Sequence, residues 1–320
     1  MVERRVIPVE DLSGAIAEHE SEGFRLATIS PADDPRWADM DGPEAIRLDR
    51  AASVETTITA EPQTLAIPEL VPELFVSRAA EADHGEGRAG MRYRDLIPSR
   101  LGGRFIASHI AIAGEGPVPD YVHHHDIRFQ LIFCHAGWVE VVYEGQGDSF
   151  VMRPGDAVIQ PPGIRHRVLA SGDDLQVVEI GCPAEHDTHR DHDMTLPTPA
   201  GDPDRSWGGQ RFVRHVCATR TWVPAAETGW EQQWFGIAEA TGGLAEAHLA
   251  RSTGPTGVGP LESHELEFAF TFCRSGEVAF VTDAEEIVLT AGDSISVPAG
   301  LPHAFATLGA AEIFTVTLPG

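Results

Sequence analysis

The segment Gly116–His166 reads GPVPDYVHHHDIRFQLIFCHAGWVEVVYEGQGDSFVMRPGDAVIQPPGIRH, and its histidines and amide have an ordered spacing. His123 and His125 are two residues apart, so on an extended strand both side chains point to the same face. Gln130 can rejoin that face on a following strand if a short turn intervenes. These residues therefore form one half of a candidate metal site.

The other half of the site lies at the end of the segment. Pro161 and Gly163 are typical of a tight turn, which would bring His166 back to the same face from another strand. Neutral imidazole suits Zn, Fe, Ni and Cu, whereas an amide oxygen is a weaker, hard ligand. The spacing predicts a divalent metal bound by His123, His125, His166 and Gln130.

The order of these positions closely resembles the two signature motifs of the cupin superfamily. The positions that agree are Gly116, His123, His125, Gly137, Gly155, Asp156, Pro161, Gly163 and His166. Gln130 departs from the pattern, because the family usually has Glu there. The resemblance implies a small antiparallel barrel, a double-stranded β-helix or jelly roll, with the metal inside. The other interpretation is that these are unrelated surface histidines on a strand.

The second half of the chain repeats the first. The stretch 108–137 corresponds without a gap to 247–276, including Phe-Cys-His-Ala-Gly against Phe-Cys-Arg-Ser-Gly. A second Gly-Asp and Pro-x-Gly-x-x-His follow at 292–303. The protein therefore resembles a bicupin, in which one chain folds into two barrels.

The second copy of the motif has a different ligand set. Glu262 stands in place of His123, Ala269 in place of Gln130, and His264 and His303 are kept. Two histidines and a carboxylate are a possible metal site. The alternative is a structural barrel that retains these histidines.

The predicted fold class is all-β, with two cupin barrels and a small N-terminal α/β module. Short β-rich runs between Gly, Pro and Asp residues are typical of a barrel or sandwich. The segment 184–209 is polar, and we expect a solvated linker even though His186, His189 and His192 recur at every third position. No chemistry is evident in the module, for which docking or oligomerisation is the default expectation. The predicted units are 1–60 (module), 61–103 (extended arm), 104–183 (first barrel), 184–209 (linker) and 210–320 (second barrel).

Charge and composition exclude several function classes. The 320 residues carry a formal net charge of −26, and no basic patch is evident, which argues against nucleic acid and anionic membranes as partners. We recognise no signal peptide and no run long enough to span a membrane. The four cysteines show no CxxC pairing, so we expect reduced thiols and a cytoplasmic location.

The amide at Gln130 has an electrostatic consequence. A set of three histidines and one amide is neutral, so a divalent metal keeps its full charge and favours an anionic, bidentate oxygen ligand. Gln130 is alternatively a catalytic residue that stands off the metal and hydrogen-bonds substrate or oxygen.

At this level the protein is similar to bicupin ring-cleaving dioxygenases that act on gentisate, salicylate and related acids. The resemblance implies Fe(II), a small hydroxy-aromatic or oxo acid that chelates it through two oxygens, and a homodimer. Candidate substrate-binding residues are Tyr121, Arg128 and Trp138, with core packing as the alternative for the aromatic pair.

Two other functions stay open. The first is a non-oxidative isomerase, epimerase or lyase that uses Zn, Mn or Ni as a Lewis acid. The second is a binding module that holds a small molecule without turnover. Oxygen uptake with an aromatic acid would distinguish the dioxygenase from the isomerase class, and a bound, untransformed ligand would favour the binding module.

Overall fold

The computed structural model describes residues 2–31, 33–60, 64–81, 85–86 and 91–320. The elements up to the first barrel are β1 Val2–Pro8, α1 Leu12–Ser21, β2 Arg25–Ser30, β3 Trp37–Asp41, β4 Ala45–Asp49, β5 Thr56–Ala60, β6 Phe75–Ser77, a 3-10 turn Ala79–Glu81, β7 Gly85–Glu86, β8 Arg92–Asp95 and α2 Arg100–Gly103. The first barrel and the segment after it contain β9 Ile106–Ile112, β10 Gly116–Pro117, β11 His123–His125, β12 Phe129–Tyr143, β13 Phe150–Met152, β14 Ala157–Ile159, β15 His166–Cys182, β16 Thr188–Arg190, β17 Ser206–Trp207 and β18 Gln210–Arg211.

The second half of the chain is built in the same way. Its elements are β19 Val213–His215, a 3-10 turn Cys217–Thr219, β20 Val223–Pro224, β21 Glu231–Trp234, α3 Ile237–Ala240, β22 Glu246–Ser252, β23 Leu266–Ser275, β24 Glu277–Val281, β25 Glu286–Thr290, β26 Ser294–Ser296, β27 Ala304–Thr307 and β28 Ala311–Pro319. The predicted all-β class with two barrels and a small N-terminal α/β module is confirmed. Among the described residues, no helix has the length and apolar character needed to cross a membrane.

The N-terminal module is a five-stranded sheet with one helix packed on it. Its strand order is β2-β3-β4-β1-β5, and only the β1–β4 pair is parallel among its described pairs. The Asp11 side chain caps α1 by accepting a hydrogen bond from the backbone of Gly14 at 3.0 Å. Leu12 on the helix packs against buried Ile46 and Leu48 on the sheet. The module therefore has its own small core.

Two long antiparallel strands form the frame of the first barrel. β12 and β15 pair from Phe129 opposite Cys182 to Tyr143 opposite His166. The sequence predicts separate strands on either side of Gly137, but the structure joins them through register shifts, which are β-bulges. Gly137 has φ +68°, and a Cβ there would lie 2.5 Å from the Gly172 carbonyl oxygen. Glycine is therefore required at the bend.

A buried aromatic layer joins the two barrels. Phe133 stacks on Phe314 with ring centroids 4.1 Å apart, and Phe105 stacks on Phe268 at 4.3 Å. These four rings belong to one apolar cluster that is contributed by both halves of the chain. Offset stacking of large rings adds to the free energy gained by burying their area.

Each half of the chain lends a strand to the other half. β6, in the predicted arm, pairs with β26 of the second barrel, and β19, from the second half, pairs with β14 of the first barrel. The predicted boundary at residue 210 therefore assigns β19 to the barrel whose sheet it does not join. The exchange covers an edge strand of each sheet, which removes exposed backbone donors and acceptors.

The two Gly-Asp turns hold these exchanged strands in place. The backbone N–H of Cys217 donates to Asp156 Oδ1 at 2.9 Å, and that of Ala79 donates to Asp293 Oδ1 at 2.8 Å. Gly155 and Gly292 have φ of +96° and +89°, and a Cβ at either would approach the exchanged segment to 2.9 Å. The repeated motif therefore anchors the exchange.

The expectation of a solvated linker is wrong for its first residues. Thr188–Arg190 forms β16, which pairs with β11 of the first barrel on one side and with β2 of the module on the other. His189 Nδ1 hydrogen-bonds Thr28 Oγ1 at 2.9 Å. The edges of β11 and β2 both form backbone hydrogen bonds with this segment. Tertiary pairing therefore makes it a strand despite its polar composition.

Candidate metal centre

The structure brings the three predicted histidines together. His123 and His125 point to one face of β11, and His166 begins β15 directly opposite His123. One ring nitrogen from each lies within 4.8 Å of the others, and their exposed fractions are 1%, 7% and 6%. Three buried imidazoles at this separation are suited to a single divalent cation.

The contacts of these rings decide which nitrogen faces the cation. Nδ1 of His123 lies 2.8 Å from the Tyr121 carbonyl oxygen, and Nδ1 of His166 lies 3.1 Å from that of Ile164. Since a carbonyl can only accept, each neutral ring carries its proton on Nδ1 and keeps a lone pair on Nε2. Outer hydrogen bonds of this kind are typical of metal-binding histidines.

The third ring is oriented by the segment after the barrel. His125 Nδ1 hydrogen-bonds the Thr188 hydroxyl at 2.9 Å. The buried Asp120 carboxylate lies 3.6 Å from His123 Nδ1, and a carboxylate beside the outer nitrogen is typical of metal-binding histidines. All three Nδ1 atoms are thus engaged, and the donor set fits a divalent metal held through Nε2.

Gln130 lies in a buried network of amides beside these rings. Gln160 Nε2 donates to Gln130 Oε1 at 3.2 Å and contacts His166 Nε2 at 3.0 Å, so two acceptors converge on one amino group. Gln130 Nε2 donates to Glu179 Oε1 at 2.6 Å. This contact turns the Gln130 oxygen toward the histidines.

Tyr143 completes the network. Its phenol donates to Gln160 Oε1 at 3.0 Å, and burial raises the pKa of Tyr143, with a further contribution from the Glu179 carboxylate. The phenol therefore remains a donor at neutral pH. Tyr143, Gln160 and Glu179 were not predicted from the sequence. The only signal was a lone carboxylate in the apolar run Val177–Ile180.

The histidines open into a cavity of about 120 Å³ in the first barrel. Its walls are mostly aliphatic, with side chains such as Ile110, Ile132, Val139, Val141 and Leu175. Among the described residues that line it, none is Lys or Arg. A bound carboxylate would therefore find its positive partner in the metal rather than in a side chain.

The three predicted substrate-binding residues do not line this cavity. Tyr121 packs its ring against His123 at 5.7 Å and lies under the Arg190 guanidinium. Arg128 forms an ion pair with Glu267 of the second barrel at 3.0 Å.

Trp138 lies on β12, and its ring occupies the space beside Gly172. Packing and ion pairing explain all three residues.

Two residues far away in sequence do line the cavity. Asp33 comes from the loop after β2 in the module, and His186 comes from the segment expected to be a solvated linker. His186 is 6% exposed, its ring lies 5.3 Å from that of His125, and burial lowers its pKa. The N-terminal module therefore contributes to the site, which the sequence did not indicate.

In the second barrel the corresponding residues are arranged differently. Glu262 is exposed, and it pairs with His303 through backbone hydrogen bonds of 3.0 Å. The backbone N–H of Leu266 donates to His264 Nδ1 at 3.2 Å, which places the proton of the neutral ring on Nε2. Within the described chain, the ligand atoms of these three residues do not gather within 4.8 Å of one another. Metal binding by the second barrel stays a prediction that this geometry does not favour.

Comparison with known proteins agrees with this architecture. The Cupin domain model matches residues 109–181 and 252–317. No protein of curated function matches the sequence significantly.

Several solved structures have a similar fold. One, described as a glyoxylate-induced protein from Pseudomonas aeruginosa, is 14% identical with a TM-score of 0.52, over 80% of this chain and 93% of that chain. YlbA from Escherichia coli is 15% identical with a TM-score of 0.53, over 79% and 94%. A variant of Bacillus subtilis oxalate decarboxylase is 11% identical with a TM-score of 0.55, over 80% and 78%. The protein thus has the cupin fold, with one cupin domain in each half of its chain.

Proposed function

We propose that the protein is a metal-dependent enzyme whose active site is the cavity of the first barrel, and that it is an Fe(II) dioxygenase. The observation that carries this proposal is the convergence of His123, His125 and His166 with each Nδ1 already engaged. A three-histidine set leaves other positions on the metal for substrate oxygens. When bound, Fe(II) would supply a Lewis-acidic centre that accepts a chelating substrate and reduces dioxygen.

The residues around the histidines have separate roles in this proposal. Gln130 either completes the ligand set through Oε1 or donates a hydrogen bond to the substrate, and Glu179 and Gln160 fix its orientation. Aliphatic side chains keep water away from the reacting atoms. Tyr143 holds a proton at its phenol oxygen and maintains the position of Gln160.

The cavity wall narrows the substrate class. Because the described wall contains no Lys or Arg, the substrate is a compact, largely apolar molecule with a chelating pair of oxygens. A hydroxy-aromatic or oxo acid meets this description if its anionic head lies on the metal. Binding of the substrate carboxylate by Arg128 is not favoured, because Arg128 is paired with Glu267 of the second barrel.

Glu179 favours a second candidate function. A carboxylate in the wall of an apolar cavity is suited to take and return a proton beside a metal-bound carbonyl. This would make the protein an isomerase, epimerase or lyase with Zn, Mn or Ni. The two candidates differ in whether oxygen is consumed.

We also propose a cytoplasmic homodimer. The four cysteines are free thiols, which supports a reducing compartment. Since the edges of β14 and β26 are paired within one chain, a dimer would use other surfaces.

Metal analysis tests the enzyme proposal. Wild-type protein and His123→Ala would be purified without chelators or a histidine tag, and their metals measured. We expect about one iron per wild-type chain, bound by His123, His125 and His166, and loss of it in the variant. Oxygen uptake with hydroxy-aromatic and oxo acids would follow. If the protein contains zinc, manganese or nickel and consumes no oxygen, the isomerase, epimerase or lyase proposal is favoured over the dioxygenase. If the wild-type protein binds no metal, both proposals are contradicted.

A further inference from the structure

Two buried acceptor atoms in the cavity wall are not used by the protein. Within the described chain, neither Asp33 Oδ1 nor His186 Nε2 has a hydrogen-bond partner, and each atom is shielded from solvent. Both residues line the metal cavity. Buried polar atoms in native proteins are nearly always paired, so an unpaired set in a cavity indicates a ligand that pairs it.

His186 is held so that its free nitrogen is an acceptor. Its Nδ1 lies 3.3 Å from the Pro183 carbonyl oxygen, which places the proton of the neutral ring on Nδ1. The backbone N–H of Ala184 donates to the Gly103 carbonyl at 3.1 Å and fixes the start of the segment. The lone pair on Nε2 can therefore receive a hydrogen bond, and 94% of the residue is shielded from solvent.

Asp33 is held in place by an arginine. Its Oδ2 accepts a hydrogen bond from Arg100 Nη2 at 2.5 Å, and Arg100 Nε donates to Asp95 at 3.1 Å. Because the guanidinium contacts Oδ2, Oδ1 is left as the remaining acceptor. Together with His186, the wall has two acceptors of preset orientation.

We propose that Asp33 and His186 form a substrate subsite that accepts hydrogen bonds from a hydroxyl or amino group. The inference rests on the proposed function and sharpens it: the substrate chelates the metal at one end and carries a donor group elsewhere. A site built to hydrogen-bond a donor rejects an analogue that lacks it, because its buried acceptors are then left unpaired. The N-terminal module thus takes part in substrate selection through Asp33.

Matched chelators test the subsite. Benzohydroxamate and its 2-, 3- and 4-hydroxy and amino derivatives share one bidentate oxygen head and differ in a single donor. Their affinities for the metal-loaded wild-type protein would be measured by titration calorimetry. We expect at least one donor derivative to bind about tenfold more tightly than benzohydroxamate.

Variants assign that preference to the two residues. His186→Phe and Asp33→Ala each remove one acceptor and should reduce the preference to about twofold or less. His186→Gln, which keeps an acceptor oxygen, should restore part of it. Asp34→Ala removes an exposed neighbouring carboxylate and should leave the preference unchanged. Metal content and thermal unfolding, measured on every variant, show which variants remain folded and loaded.

The failures can be told apart. If benzohydroxamate binds wild type but no donor derivative is preferred, the subsite is wrong and the metal site stands. The subsite is equally wrong if the preference survives in both folded variants. If no hydroxamate binds wild type, the metal-centred function and the inference that rests on it both fail.

Discussion

The first and second barrels can be compared position by position, because corresponding residues make the same backbone hydrogen bonds. The N–H of Gln160 donates to the Gln130 carbonyl at 2.9 Å, and the N–H of Val297 donates to the Ala269 carbonyl at 3.0 Å. The N–H of Gly163 likewise bonds the His125 carbonyl at 3.1 Å. Its counterpart in the second barrel is a 2.9 Å bond between residues 300 and 264.

The side chains at these positions are what differ. In the first barrel the Gln160 amide contacts both Gln130 and His166. The second barrel has Ala269 and Val297 at the positions of the two glutamines, and their side chains cannot form hydrogen bonds. The shared backbone shows that the motif glycines and aspartates build the barrel. The proposed metal site depends on a few inward-facing side chains that the second barrel lacks.

The largest expected effect is on metal binding, and it distinguishes the corresponding histidines His166 and His303. His166→Ala should abolish metal binding, since it removes one of three converging ligands. His303→Ala, at the corresponding position, should leave metal content unchanged. Elemental analysis of both purified variants gives the result, and loss of metal in His303→Ala would show that the second barrel binds it.

The next effect concerns the shared Gly-Asp turns. Gly155→Ala and Gly292→Ala should each lower the free energy of unfolding by about 2–4 kcal/mol, through positive φ and a clash with the exchanged segment. Gly300→Ala has a similar φ but open space around it, and should cost about 1–2 kcal/mol. Urea unfolding measures all three. Equal losses in the three variants would contradict the role of the exchanged strands.

A smaller effect tests the amide network. Gln160→Val places the second-barrel residue in the first barrel and should strengthen metal binding about fivefold, because His166 Nε2 and Gln130 Oε1 no longer accept hydrogen bonds from the Gln160 amide. Gln232→Val, on a strand of the second barrel, is the control. Competition with a fluorescent chelator measures the affinity, and an unchanged constant for Gln160→Val would exclude the network from metal binding.

The smallest effect is a pH dependence in the second barrel. Burial lowers the pKa of His248 from 6.5 to about 4. Between these values the unfolded chain binds the proton and the folded protein does not, so stability falls as the pH drops from 6.5 toward 4. For this partly buried ring the loss is about 1 kcal/mol.

The variant His248→Leu should remove that contribution. Unfolding free energies measured in urea at pH 7 and pH 5 should therefore differ less in the variant than in wild type. An identical difference in both proteins would show that His248 does not contribute to the pH dependence.

The local pattern of the sequence determined the barrels and the histidine triad. A two-residue spacing on a strand places His123 and His125 on one face, and the internal repeat predicts a second barrel before any contact is known. The sequence also predicts a short helix over 11–22 that Gly23 ends, and α1 is found at Leu12–Ser21. Alternation and turn residues act over a few positions, so they can be read from one sequence.

Tertiary structure alone decided what surrounds the candidate metal site. Asp33, Glu179 and His186 reach one cavity from distant parts of the chain. Glu179 is placed by the pairing of β15 with β12 and β9, whereas β16 joins the module that carries Asp33 to the first barrel. Tyr121 and Arg128, in contrast, lie beside the motif but are held by packing and by an ion pair across the barrels. Which way a side chain faces is set by strand register and by long-range packing, and neither is encoded in local spacing.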